Sequence, residues 1–135
     1  LVSEKGLRNV RLIPRQPKER MPALWSLCDV SLVPLRNNPV FATVIPSKIF
    51  ESMGMGVPIL MSLPDGEATS IIREDEVGVC VPPEDAQAMV DAIVMLTTNP
   101  ERMRNFRTNA IVAAKKYSRK RLAGEMLASL KKAAA

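Results

Sequence analysis

Short apolar runs at residues 10–13, 30–35, 57–61 and 78–81 alternate with stretches of helical spacing. Each run is only four to six residues long and lies close to Gly, Pro or Asp, the pattern of strands rather than helices. Helices are expected between them over 19–27, from Ser47 to the glycines at 54 and 56, and over 68–74. The run 57–61 is apolar throughout, as in a parallel strand buried on both faces. Strands alternating with helices predict an α/β fold, a Rossmann-like parallel sheet with helices on both faces. The pattern changes after residue 84. Asp85 is placed to cap a helix with Met89, Val90, Ile93 and Leu96 in register. Asn99 and Pro100 open another, with Met103, Phe106, Ala110, Ala113 and Tyr117 on one face. Ser118 caps a last helix striped by Leu122, Met126, Leu127 and Leu130. The expected organisation is a single unit over 1–135, α/β over 1–99 and helical over 100–135. Residues 1–5 before Gly6 read as a helix end with its glycine cap, and one turn does not hold by itself in water. A segment upstream is therefore expected.

The most informative stretch runs from Ile45 to Leu60. It reads as a loop, a short helix capped by Ser47, a glycine stop and a buried strand. A helix N-terminus at the end of such a sheet gathers unpaired amides and a positive dipole end, which suits a phosphate. Lys48 adds a full charge. Glu51, one turn in, is placed where a ribose edge would lie. The plainer reading is an ordinary capped helix whose first turn carries an acid because the dipole favours one.

Composition narrows the classes. The chain has 135 residues, 47% hydrophobic but with only Trp 1, Tyr 1 and Phe 3, so its core must be aliphatic and methionine-rich. It lacks histidine, which excludes His-dependent triads and most zinc sites within it. Cys28 and Cys80 sit in apolar sequence without metal-ligand neighbours and read as buried free thiols of a reducing compartment. No run approaches the ~18 apolar residues of a membrane span, and the start is polar, unlike a secretory signal. The net charge of +5 is uneven: from Pro100 onward ten Lys/Arg face two acids, a net of +8, leaving −3 on residues 1–99. The only aromatics in that basic part, Phe106 and Tyr117, fall on apolar helix positions, so no base-stacking platform is expected and nucleic acid is not a predicted partner. The basic helices read by default as a solvated face, ahead of an acidic-partner surface or a peripheral contact with a membrane surface.

Several motifs recur in a known order. They are Asn9-Val10-Arg11-Leu12-Ile13, Cys28-Asp29-Val30-Ser31-Leu32-Val33-Pro34, the helix ending in Gly56-Val57-Pro58, Asp65-Gly66-Glu67, and Gly78-Val79-Cys80-Val81-Pro82-Pro83-Glu84-Asp85. Together they resemble the C-terminal half of the retaining GT-B glycosyltransferases of the group 1, or family 4, type, from about residue 6 to 130. The sequence Ile45-Pro46-Ser47-Lys48 is most similar to bacterial transferases that build surface polysaccharides. The resemblance implies a nucleotide-sugar donor site, a UDP-sugar being favoured, with no metal, no other cofactor and a cytoplasmic location. It places the acceptor site in a separate N-terminal half. It implies that Glu51 holds the ribose hydroxyls and that the loop Pro46 to Lys48, through Ser47, lies against the diphosphate by its backbone amides. The loop from Ile13 through Arg15 to Gln16 would flank the base.

Two departures qualify this. The family's second glutamate, eight residues before the ribose one, is replaced by Thr43, which would stand next to the donor sugar with a hydroxyl instead of a carboxylate. The resemblance also begins after the family's first strand-helix unit. By the usual strand order, residues 10–13 and 57–61 would then flank an open gap, and the chain reads as part of a longer enzyme without turnover by itself. No residue here reads as a nucleophile, so the catalytic group is unassigned. A non-catalytic remnant of the same fold is the alternative. A phospho-acceptor receiver domain is disfavoured because residues 30–35 end in Arg36-Asn37, with no aspartate, and Val81-Pro82 has no preceding lysine. A UDP-sugar epimerase is disfavoured by the missing histidines.

Overall fold

The computed structural model describes residue 2 and residues 4–134. After a 3-10 turn at Lys18–Arg20, the elements run α1 (Met21–Trp25), β1 (Ser31–Pro34), a 3-10 helix at Pro39–Thr43, α2 (Lys48–Gly54), β2 (Ile59–Ser62), α3 (Glu67–Glu74) and β3 (Gly78–Val81). Three longer helices follow: α4 (Ala86–Thr98), α5 (Pro100–Lys116) and α6 (Arg119–Ala133). The strands form one parallel sheet in the order β1-β2-β3, with Ser31 opposite Ile59 and Ile59 opposite Gly78. This is the expected Rossmann-like arrangement.

Helices cover both faces of the sheet. Ile49 and Met53 of α2, Ile71 and Ile72 of α3, and Ala110 and Ala113 of α5 pack with Val33, Ile59 and Met61. The opposite face joins Leu60 to Ala92 and Leu96 of α4 and Phe106 of α5. Both crossover helices, α2 and α3, lie on one face because consecutive right-handed crossovers advancing in one direction must do so. Glycine stops recur where the chain has to turn back. Gly56, at φ +64, ends α2 with Val57 N–H donating to Ser52 O at 2.9 Å and Gly56 N–H to Met53 O at 3.0 Å, a Schellman closure that favours the left-handed residue. Gly6, at φ +61, closes the same way, Leu7 N–H reaching Val2 O at 3.2 Å. The structure has a turn and no helix at this point, and Leu1 and Ser3 of the expected helix end lie outside the described residues.

Three expectations are corrected. Residues 10–13 form no strand, and Leu12 and Ile13 are 80% and 60% exposed. A strand needs a neighbour to pair its amides and carbonyls, and among the described residues none runs beside this segment. The gap was expected next to residues 57–61, yet β2 is central and paired on both sides. The open edge on the N-terminal side belongs to β1, whose Leu32 is 49% exposed. Cys28 is exposed rather than buried, because α1 stops at Trp25 and leaves the thiol on the following turn.

Cys80 is half-buried, and burial pushes its thiol up to about 11. At pH 8 the thiolate fraction of Cys80 is therefore small, and Cys28 is expected to take up one equivalent of a thiol reagent well before Cys80 does. Mass spectrometry of partly alkylated protein checks this, and equal labelling of the two would contradict the assigned burial.

The end of α5 is tied to the turn after α3. Tyr117 OH donates to Asp75 Oδ2 at 2.6 Å, Lys116 Nζ donates to Asp75 Oδ1 at 3.0 Å, and the Tyr117 ring lies 5.2 Å from that of Phe50. Burial, and next the hydrogen bond to Asp75, raise the Tyr117 hydroxyl above its ordinary value of 10.0. A folded-state value above the unfolded one gives stability that is complete below the unfolded pKa and lost as pH rises through the folded one. Tyr117→Phe is expected to cost about 1 kcal/mol near neutral pH at this half-buried site and to flatten the alkaline fall of Tm. Thermal scans between neutral pH and pH 11 measure both effects.

Candidate functional site

Ligands of open parallel sheets bind outside the carboxyl ends of the strands. Here the segment between β1 and α2 crosses that end. Asn38 accepts from Val40 N–H at 3.0 Å and starts the 3-10 helix, and Thr43 Oγ1 donates to Val40 O at 2.9 Å at its close. The segment rests on the start of α3, where a Cβ on Gly66 would lie 1.9 Å from Ala42 O. Gly66 is held in turn by Thr69, whose Oγ1 accepts from Gly66 N–H at 3.0 Å and donates to Gly66 O at 2.8 Å. Only glycine allows the loop bearing Thr43 to seat this closely. The signal was present as Asp65-Gly66-Glu67, but the sequence gives no sign of what Gly66 touches.

Ile45 precedes a proline, which biases it away from helix, and α2 follows two residues later. Ser47 has helical angles, φ −57 and ψ −27, and its side chain makes no capping bond. This corrects the expected cap: an N-cap side chain reaches back to the first-turn amides only from an extended backbone. Pro46 carries no N–H, so the amides available at this end are those of Ser47 and Lys48, and among the described residues neither meets an acceptor. Ser47, Lys48 and Glu51 are all exposed. Among the described residues neither the Lys48 ammonium nor the Glu51 carboxylate has a hydrogen-bond or ion-pair partner. Behind them α2 is anchored by Ile49 and Met53, both 0% exposed, and by Ser52 Oγ donating to Lys48 O at 2.7 Å. A rigid inner face thus presents an outer face of unsatisfied polar groups.

Glu51 also lines a concavity of about 500 Å³ between α1 and α2, with Lys18, Met21, Pro22 and Trp25 opposite and Met55 beyond. Its walls are largely apolar, with one carboxylate and one ammonium among its lining groups. Ser47 lies one helical turn, about 6 Å of rise, before Glu51. Ile13 and Arg15 lie on exposed chain, and neither lines this concavity. Gln16 Nε2 donates to Pro14 O at 3.0 Å, holding that loop to itself. Thr43 is exposed on its own loop.

The family model described as glycosyl transferases group 1 matches residues 1–113. The chain belongs to the group 1 glycosyltransferases. Among solved structures, this glycosyltransferase domain is similar to sucrose-phosphate synthase from Thermosynechococcus elongatus, with TM-score 0.80 and 25% identity over 99% of this chain and 33% of that one. It shares its fold with HepE from Anabaena, solved in complex with UDP, at TM-score 0.74 and 18% identity, over 97% of this chain and 35% of that one. The C-terminal domain of a group 1 glycosyltransferase, LpcC from Francisella tularensis, aligns at TM-score 0.64 and 18% identity, covering 86% of this chain and 57% of that one. The chain spans about a third of the first two. No curated protein matched.

In this glycosyltransferase domain Lys18, Met21 and Trp25 line the concavity beside Glu51, and sequence reasoning did not single them out. The helix over 19–27 was legible, but α1 has only five residues, too few for periodicity to show which side faces α2. Among the described residues no group of three or more His, Cys, Asp or Glu gathers at a distance suited to a metal.

Proposed function

We propose that this domain forms the donor site of a retaining glycosyltransferase, taking a hexosyl or N-acetylhexosaminyl group from a nucleoside diphosphate sugar to a glycan or lipid-linked acceptor in surface-polysaccharide synthesis. The observation that carries this reading is Glu51, without a partner among the described residues, on the wall of an apolar concavity one turn from the amides of Ser47 and Lys48, which meet no acceptor among those residues. A carboxylate with two oxygens accepts from both vicinal hydroxyls of a ribose. The amides and Lys48 match a diphosphate, whose negative charge grows as the sugar departs, so electrostatic stabilisation is the chemistry this end supplies. Trp25, Met21 and Met55 offer the apolar wall that the nucleoside's flat parts need, while Ile13 and Arg15, which do not line this concavity, are assigned to the base side by the family resemblance alone. Thr43 gives a hydroxyl toward the sugar. UDP is the favoured nucleotide; the presence of UDP in HepE is in keeping with that. The acceptor and any general base are assigned to a further domain, so this piece is expected to bind without turnover. A cytoplasmic location follows from where nucleotide sugars are used.

An amide-resolved NMR titration with UDP, GDP and ADP tests the reading. Selective shifts at Ser47, Lys48 and Glu51 with one of the three would support a donor site and name its base. A folded chain whose amides ignore all three would instead favour a non-catalytic member of the fold, the reading in which Thr43 replaces a glutamate because no sugar is held.

A further inference from the structure

Helix α2 has only seven residues, Lys48–Gly54, too few to hold a direction of its own in water. Helix α5 aims it. A Cβ on Gly56, just past the end of α2, would lie 3.1 Å from Ile111 Cδ1 and 3.7 Å from Arg107 O. Ile49 and Met53 share a core cluster with Ala110 and Ala113. One turn further along α5, the Tyr117 ring meets that of Phe50, with centroids 5.2 Å apart and planes tilted by 42°, an arrangement that aromatic pairs favour. The two helices thus run side by side in opposite directions. Ile49 and Met53 are stacked on the inner side one turn apart, and alone they leave α2 free to roll about the line that joins them. Phe50 is the contact off that line, about 100° round the helix from Ile49 and about 100° from Glu51. Ser52, the other buried residue of α2, turns its hydroxyl back on Lys48 O within the helix.

Tyr117 is itself held. Its hydroxyl donates to Asp75 Oδ2 at 2.6 Å, and Lys116 Nζ donates to the other oxygen at 3.0 Å. The Asp75 side chain is only 13% exposed. Asn109, two turns earlier on α5, donates to Glu76 O at 3.1 Å and ties down the same turn. We propose that Tyr117 is a positioning residue of the donor site: pinned to Asp75, its ring sets the roll of α2 through Phe50 and so the direction of Glu51. Leucine would serve burial equally well at this margin of the core, where both rings are half-buried. The hydroxyl adds a fixed direction. The inference rests on the donor-site reading for what Glu51 then holds, and not for the roll of the helix.

Residual dipolar couplings of the whole chain measure that roll without a ligand, as the directions of the α2 Cα–Hα vectors relative to those of β2. Tyr117→Leu and, independently, Phe50→Leu should turn the α2 vectors, and Tyr117→Phe should restore most of the parent directions. Phe106→Leu is the control: it lowers stability from the cluster on the other face of the sheet and should leave the vectors where they are. Calorimetric titration with UDP, GDP and ADP then reads the site. Tyr117→Leu should weaken the nucleotide that binds the parent by about tenfold, the low end of what hydrogen bonds to a charged group carry. In a Glu51→Ala background the same change should cost little more, because both act on one contact. Unturned vectors in either folded leucine variant would overturn the inference. An undiminished loss in the Glu51→Ala background would also do so, since Tyr117 would then act elsewhere. A parent that binds none of the three nucleotides removes the donor reading, while the couplings still decide whether Tyr117 aims the helix.

Discussion

Glu51→Ala is expected to weaken binding of a nucleoside diphosphate by roughly 10- to 150-fold, the equivalent of the about 1.5–3 kcal/mol carried by hydrogen bonds to a charged group. The low end of that range applies if the site stays as open to water as it is in this chain, where Glu51 is exposed. The fold should not suffer. Among the described residues the carboxylate has no protein partner, and α2 is held by Ile49, Ser52 and Met53 on its other side. Loss of affinity at unchanged Tm is therefore the signature of a binding residue. Isothermal titration with the nucleotide that moves the Ser47 amide gives the affinity, and the nucleoside monophosphate separates the two halves of the site. Glu51→Ala should weaken both ligands alike, whereas Lys48→Ala should affect the diphosphate more. A variant that binds the nucleotide as the parent does would remove Glu51 from the ribose.

Gly78→Ala should lower stability by about 3 kcal/mol or more, the upper end for forcing atoms into a packed region. The added Cβ would stand 1.9 Å from Ile59 O, 2.7 Å from its carbonyl carbon and 2.9 Å from its nitrogen. These are backbone atoms of the central strand, in register with Gly78 itself, so no rotamer change makes room. Either β3 lifts from β2 or β2 shifts against a core in which Ile59, Leu60 and Met61 are 0% exposed. A domain of this size has roughly 5–15 kcal/mol in total, so the loss corresponds to a fall of about 10 °C or more in Tm. Gly124→Ala is the matched control. It sits in α6 with nothing within 4 Å of the added atom, and it should stabilise that helix by about 1 kcal/mol. Thermal unfolding followed by circular dichroism compares the two. A Gly78→Ala protein melting with the parent would show that the β2–β3 ladder is looser than described.

Much of this was legible in the residues. Asp85, Asn99 and Ser118 each cap the helix they precede, accepting from Ala88, Arg102 and Arg121 N–H. Such capping is local, settled within four residues by side-chain reach. Ser47 had the same residue type and failed, because its backbone angles are set by the loop before it and not by its own preference. The stripe of α5 proved to be a core stripe, with Phe106, Ala110 and Ala113 buried. The equally regular stripe of α6 stayed exposed, since periodicity reports that a face is apolar and not what covers it.

The sequence by itself determined the local alphabet of this protein: which runs can form strands or helices, where glycine ends them, and that Glu51 follows Ser47 by one helical turn. It also carried the family, through the order of short motifs. Tertiary structure alone decided the rest. It put β2 in the centre, left residues 10–13 without a strand to pair with, and exposed Cys28. It also brought Trp25 and Met21 across from Glu51, and set Gly66 and Gly78 against the backbones of Ala42 and Ile59. Each of these depends on which atoms distant in sequence come within a few ångströms, and pairing, burial and close approach are properties of such neighbours. Propensity and spacing act only over a turn or two of chain.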